Sequence, residues 1–286
     1  MSLCYNRAMN TQRKSELLLA AVIIARSTSF MFSKVLLRSM GQYNLLGVRS
    51  LLAFVFLAIV FSKRLGKATK KEIKAGFIFG TAFFIVMSFE LAGLKRINSS
   101  TMSFLENTSV VFVPVFMALI TQKLPEKRTV LRVLIAAAGV ALLTLDGAAI
   151  GFGFGELLGL CAAMCYACAI IVTKKFSAGI DTLLAGVFQV GTMGVLSIIA
   201  SFIFETPVLP QGPTQWGAIL YLAIICSGFG FTLQPVAQSG TTAERAGTFC
   251  ALSPVSAGIL GMIFLHESFG PLNILGAAMV ICSILI

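Results

Sequence analysis

Charge is scarce in this chain: Asp, Glu, Lys and Arg together make up 12% of it, while 57% is hydrophobic. A water-soluble fold needs far more polar surface than this, so a soluble domain is excluded. There is one histidine, and no Gly-rich phosphate loop, zinc signature or nucleophile-base-acid set is present. ATP hydrolysis and intramembrane catalysis are therefore not expected, and no bound cofactor is called for. Met1 to Ser15 is polar and basic with no apolar region of its own, so no cleavable signal precedes the first apolar run.

Acidic residues are scarcer than basic ones, 11 against 22, for a net charge of +11. In a soluble protein that excess would suggest nucleic-acid binding; in an apolar chain it reflects retention of basic loops in the cytoplasm, and no nucleic-acid partner is expected. The seven cysteines are odd in number, and all but Cys4 lie in apolar runs, which is not a disulfide framework. Cys161, Cys165 and Cys168 share a helical face whose spacing suits a soft metal. Thiolates in lipid are costly without a full ligand set, so these are read as packing residues and no metal is expected.

What the sequence has instead is a mean hydropathy of +0.94 and ten apolar runs. They fall near Leu17–Leu37, Leu45–Phe61, Ile73–Leu94, Met102–Ile120, Val130–Leu145, Leu157–Val172, Leu183–Phe204, Trp216–Gln234, Ala246–Leu265 and Leu272–Ile286. A bilayer core takes roughly 20 apolar residues per helix, so the runs predict an all-α polytopic membrane protein of ten transmembrane helices. With the N-terminus inside, the cytoplasmic segments carry Arg7, Arg13 and Lys14; Lys63, Arg64, Lys67, Lys70, Lys71 and Lys74; Lys123, Lys127, Arg128 and Arg132; Lys174 and Lys175; and Arg245. The outer ends keep only Lys34, Arg38, Lys95 and Arg96. Both termini are therefore expected on the cytoplasmic side of the inner membrane.

The halves repeat. Ser15-Glu16-Leu17-Leu18-Leu19 aligns with Gly155-Glu156-Leu157-Leu158-Gly159, and the same shift of 140 places Lys34 on Lys174, Arg26 on Tyr166 and Arg49 on Gln189. Further along, a shift of 144 puts Glu90 on Gln234 and Ser109 on Ser253. Five helices per copy force the copies to enter the membrane from opposite sides, an inverted repeat. The expected organisation is a cytoplasmic segment 1–15, a first five-helix repeat 16–146 and a second 156–286.

Arg26-Ser27-Thr28-Ser29-Phe30 through Lys34 resembles the Trp-Gly-x-x-Phe-x-x-x-Lys opening of the EamA-type carriers in the drug/metabolite transporter (DMT) superfamily. Arg26 stands where the Trp is usual. Leu91-Ala92-Gly93-Leu94 with Ser99-Ser100-Thr101 is similar to the turn between that family's third and fourth helices. Gln234, Gln238, Ser253-Pro254-Val255 and His266-Glu267 are similar to the matching part of its second copy. The resemblance implies a ten-helix metabolite transporter, usually an exporter of amino acids or other metabolites, with a central cavity between the copies.

Ionisable residues inside spans are costly and so are candidates for function. Arg49, Glu90 and Glu106 are expected to meet in an outer vestibule, with Arg26 deeper. Arg26, Glu90, Glu106, Tyr166, Gln189, Gln234 and Gln238 are the candidate substrate-binding residues, and Arg49, Pro114 and Pro254 are assigned structural or gating roles. Phe30, Phe84 and Phe112 could wall the cavity, and His266-Glu267 reads as an interfacial cap. The expected function is secondary transport of a small amphipathic metabolite by alternating access, with a proton gradient as energy source. The partners are the substrate and the lipid bilayer, for a monomer or a homodimer. A lipid-linked sugar flippase and a non-transporting sensor or assembly subunit are the alternatives, although the longest hydrophilic stretch is too short for an output domain.

Overall fold

A computed structural model describes residues 2–97, 99–144, 153–256 and 271–286, and every regular element among them is helical. In lipid each backbone N–H and C=O must be satisfied within the protein, which leaves helices as the economical way for these apolar runs to cross. The elements are α1 (Ser2–Ser27), α2 (Ser29–Leu36), α3 (Gln42–Val60), α4 (Ser62–Leu65), α5 (Lys70–Leu94), α6 (Ser99–Asn107), α7 (Ser109–Thr121), α8 (Lys127–Thr144), α9 (Phe154–Phe176), α10 (Thr182–Phe204), α11 (Gly212–Tyr221), a π-helical stretch (Leu222–Phe231), α12 (Thr232–Ser239), α13 (Ala243–Cys250) and α14 (Pro271–Leu285). Among the described residues seven continuous paths are long and apolar enough to cross a membrane: Gln12–Leu36, Gln42–Val60, Lys70–Leu94, Thr101–Thr121, Phe154–Phe176, Thr182–Phe204 and Gly212–Ser239. The chain is a multi-pass membrane protein. Of the other three apolar runs, the described parts include α8, α13 and α14, which has 15 residues, and 257–265 of the ninth run lie outside the described residues.

Small residues set the closest packing. A methyl group added at Gly80 would come 2.7 Å from the carbonyl oxygen of Gln189, and one at Gly76 would come 2.8 Å from that of Ala185. This Gly-x-x-x-Gly stripe lets α5 lie against α10 at backbone contact, the means by which helices associate where no hydrophobic drive exists between them.

Polar contacts sort the helix ends into two faces. At one, Arg64 pairs with Asp181 at 3.5 Å, Lys174 Nζ donates to Ser239 O at 2.7 Å, and Arg245 pairs with Glu16. Hereafter this is the basic end. At the other, Lys34 Nζ donates to Leu94 O and to Ile97 O, and Glu205 accepts from the amides of Tyr43 and Asn44 at 3.3 and 2.9 Å. The last contact caps α3 with a carboxylate from the end of α10, a favourable charge at a helix N-terminus. Lys34 and Lys174, aligned by the shift of 140, do the same job at opposite ends: each supplies an ammonium to the carbonyls that end a neighbouring helix.

Candidate functional site

Two of the membrane-crossing paths are interrupted, and a third break ends α13. The first breaks at Thr28 between α1 and α2, where the hydroxyls of Ser27 and Thr28 bond back to Ile24 O and Ala25 O, both at 2.7 Å. The second breaks at Thr108 between α6 and α7, with Thr108 Oγ1 donating to Leu105 O at 2.6 Å and Asn107 Nδ2 to Ser103 O at 2.6 Å. The third ends α13 at Ala251. Such local side-chain bonds compete with the helical ladder and bend it. Arg26 and Glu106 each sit two residues before a break, and Cys250 sits one residue before.

The breaks enclose a cavity of about 20 Å³ lined by Arg26, Phe30, Glu90, Glu106, Asn107, Tyr166, Cys250 and Ser253, among others. Arg26 dominates it. Its Nη1 donates to Tyr166 Oη at 2.8 Å and to Gln234 Oε1 at 2.9 Å. Its Nη2 stands 3.9 Å from Glu106 Oε1. The guanidinium also lies over three rings, Phe231 at 4.4 Å, Tyr166 at 5.1 Å and Phe83 at 5.7 Å, and these attract a desolvated cation. Gln234 Nε2 and Cys250 Sγ reach the same Tyr166 oxygen at 3.4 and 3.6 Å.

The stem of Arg26 is accommodated by the π-helical stretch, a rare geometry concentrated at functional sites. A methyl group at Gly230 would come 2.8 Å from Arg26 Cγ. That stretch is tied to the first break as well, since Tyr221 Oη donates to Thr28 Oγ1 at 3.1 Å and Cys226 Sγ to Ala25 O at 3.4 Å.

Arg49 is fully buried, at 0% exposure, but does not line the cavity. Its Nη1 donates to Ser33 Oγ at 3.3 Å, its Nη2 faces Met87 Sδ at 3.8 Å, and its Nε has no hydrogen-bond partner. Within the cavity Arg26 meets two acidic side chains, Glu90 and Glu106, with Glu106 as its ion-pair partner, and a buried charge needs such a partner.

Of the residues singled out from sequence, Arg26, Glu90, Glu106 and Tyr166 are thus brought together, with Gln234 bonded to two of them. Glu90 and Glu106 line one cavity with Arg26; Arg49 stands apart on α3. Gln189 donates to Phe231 O at 3.2 Å, behind the ring that covers Arg26. Gln238 is buried with its Oε1 unpartnered. Pro114 lines a different chamber, at the basic end, and Pro254 is buried beside Ser253. Phe30 does wall the cavity, whereas Phe84 packs near Tyr43 and Phe112 on Phe116. His266-Glu267 lies outside the described residues. Sequence reasoning missed Phe83, Phe231, Cys250 and Asn107. No motif marks them; they are found once helix rotation is known, as Phe83 against Phe84 illustrates, one residue being about 100° of turn.

Fold and site together define a polytopic membrane protein with a cluster of ionisable side chains held between broken helices, an arrangement suited to holding a solute within the bilayer. The chain belongs to the EamA-like transporter family, whose model matches residues 13–145 and again 153–286. It is therefore a membrane transporter and not an enzyme. It is 28% identical over 263 residues to an uncharacterized transporter of Archaeoglobus fulgidus, covering 89% of this chain and 90% of that one. It is 26% identical over 280 residues to the uncharacterized transporter YetK of Bacillus subtilis, covering 94% of this chain and 84% of that one. Among solved structures, the crystal structure of a protein 17% identical in sequence superposes with a TM-score of 0.72 over 98% of this chain and 95% of that one.

Proposed function

We propose that this chain is a secondary transporter, working as an exporter, that moves small amphipathic metabolites such as amino acids across the cytoplasmic membrane by alternating access. In this reading ten helices form two inverted five-helix repeats, 16–146 and 156–286, with both termini in the cytoplasm. One observation carries the reading: Arg26, from the first half, is held by Tyr166 and Gln234 from the second half, in a cavity shared with Glu90 and Glu106. A residue that bonds its own counterpart 140 positions on lies at the axis relating the halves, where an inverted-repeat carrier binds its substrate.

About 20 Å³ holds a water molecule and little more; small-molecule sites run to hundreds of Å³. The helices must separate for a solute to enter, as alternating access demands. Arg26 offers a planar fork that fits a carboxylate. A substrate carboxylate takes Arg26 from Glu106, and the released acid takes up a proton, which couples transport to a proton gradient.

The test is transport in proteoliposomes under an imposed pH gradient, screening amino acids and other small metabolites, with wild type, Arg26→Gln and Arg26→Lys. Movement of an anionic or zwitterionic solute that collapses with the gradient is expected, with both variants weakened and Gln more than Lys. Unchanged affinity for such solutes in Arg26→Gln would remove Arg26 from the site.

A further inference from the structure

The basic end carries a second chamber. Its volume is about 370 Å³, and it is lined by Pro114 and Thr121 of α7, Lys123, Glu126 and Arg132, and Thr242 and Arg245 at the start of α13, among others. This is the size of a metabolite site, and the central cavity is not. One wall is a latch between the two halves of the chain: Arg245 Nε and Nη2 bind the two oxygens of Glu16 at 2.6 and 3.1 Å. Thr241 Oγ1 adds a bond to Glu16 Oε1 at 3.4 Å. The turn beside it is held tight, since a methyl group at Gly240 would fall on the Ser15 hydroxyl.

Beyond the latch the way inward is closed by close packing, with Gly247 so near α7 that a methyl there would stand 3.0 Å from Val113 Cγ2. Cys250 comes next. It lines the Arg26 cavity five residues from Arg245, about 7.5 Å along the helix. The two chambers are thus separated by about one and a half turns of α13 and the Glu16 contact.

We infer that the chamber at the basic end is the entrance to the central site, and that the Glu16–Arg245 pair is the latch that keeps it shut. The inference rests on the alternating-access reading. Arg132 and Lys123 line the same chamber beside Arg245, so a solute bearing a carboxylate meets basic side chains there. A two-point Arg–carboxylate bond is specific in geometry and strong relative to neutral contacts. It therefore suits a closure that must hold and yet release when the halves rock apart.

The test reads Cys250 directly. Vesicles of both orientations are treated with a membrane-impermeant maleimide, and modification of Cys250 and Cys226 is followed by peptide mass spectrometry. Cys226 is the control, because it is buried against Thr28 and Ala25 and does not line the path. Wild-type protein should label slowly at both. Glu16→Gln and Arg245→Gln should raise Cys250 labelling on the order of tenfold, as expected for loss of a charged hydrogen-bonded contact, from the basic end only and with Cys226 unchanged. The exchange Glu16→Arg with Arg245→Glu should restore protection. Unchanged Cys250 labelling in the single variants, a parallel rise at Cys226, or a rise from the opposite end would each overturn the latch. The labelling needs no substrate, so its failure leaves the carrier reading standing, while a chain that labels as expected but moves no solute fails on that reading alone.

Discussion

Arg26 Nη1 lies 2.8 Å from the hydroxyl of Tyr166, the residue exactly 140 positions further along the chain. The same shift relates Lys34 to Lys174, which serve as matching caps at opposite ends of the molecule. The two halves therefore contribute unlike groups to one point: a cation from the first, and neutral hydrogen-bonding groups from Tyr166 and Gln234 of the second. An asymmetric lining of this kind can orient a solute having one charged and one neutral end, which a symmetric pair could not.

Tyr166→Phe should keep the ring over Arg26 and remove the oxygen that accepts from Arg26, Gln234 and Cys250. A loss of about 1–3 kcal/mol is expected, the range for a hydrogen bond to a charged group together with desolvated partners. Thermal unfolding in detergent measures it. An unchanged melting temperature would mean that the hydroxyl is bypassed by Gln234 alone.

The Arg26–Glu106 pair should couple in a double-mutant cycle. Removing one partner of a buried pair costs roughly 3–5 kcal/mol because the other charge is left uncompensated. At 3.9 Å the contact is loose, so the lower part of that range is expected for Arg26→Gln, with partial recovery on adding Glu106→Gln. Additive single effects would show that Glu106 is neutralised elsewhere.

Lys34→Met and Lys174→Met should destabilise by similar amounts, about 0.3–1 kcal/mol each, because each removes an ammonium from helix-ending carbonyls. Unfolding of each variant and of the double variant tests this. A large effect at one position and none at the other would break the equivalence drawn between them.

Gly80→Leu should disrupt the contact of α5 with α10, since even a methyl group there meets Gln189 O at 2.7 Å. Overpacking costs typically 1–3 kcal/mol, and a backbone oxygen cannot rotate away, so the upper part of that range or failure to fold is expected. Wild-type yield and melting temperature in this variant would contradict the packing described.

A cysteine placed at Lys67, between Lys63 and Lys74, should resist an impermeant thiol reagent added to intact cells. The six lysines and arginines of that segment outweigh Glu72, and such segments are retained inside. Glu72 is held in its own turn by the amide and hydroxyl of Thr69. Ready labelling from outside would reverse the assignment of the basic end to the cytoplasm.

The sequence by itself determined that this is a membrane-embedded helical protein, and it identified the family. Those properties depend on composition and on local apolar runs, which every residue reports independently of where the chain later goes. Internal repetition was expected from Lys34 with Lys174 and Arg26 with Tyr166, which lie at a constant shift that needs no coordinates, and the family model matches the chain twice. Charged groups within spans stood out for the same reason, so Arg26, Glu90 and Glu106 could be named in advance. Tertiary structure alone decided which of them meet. Arg49 looked equivalent to the others by depth, but the rotation of α3 turns it to Ser33 and Met87, away from the cavity. Phe83 and Phe231 close over Arg26 while Phe84 does not, a difference of helix phase that composition cannot encode. The latch between Glu16 and Arg245, separated by 229 positions, was equally invisible. Two ordinary polar residues at helix ends become partners only because packing of the distant spans between them brings those ends together.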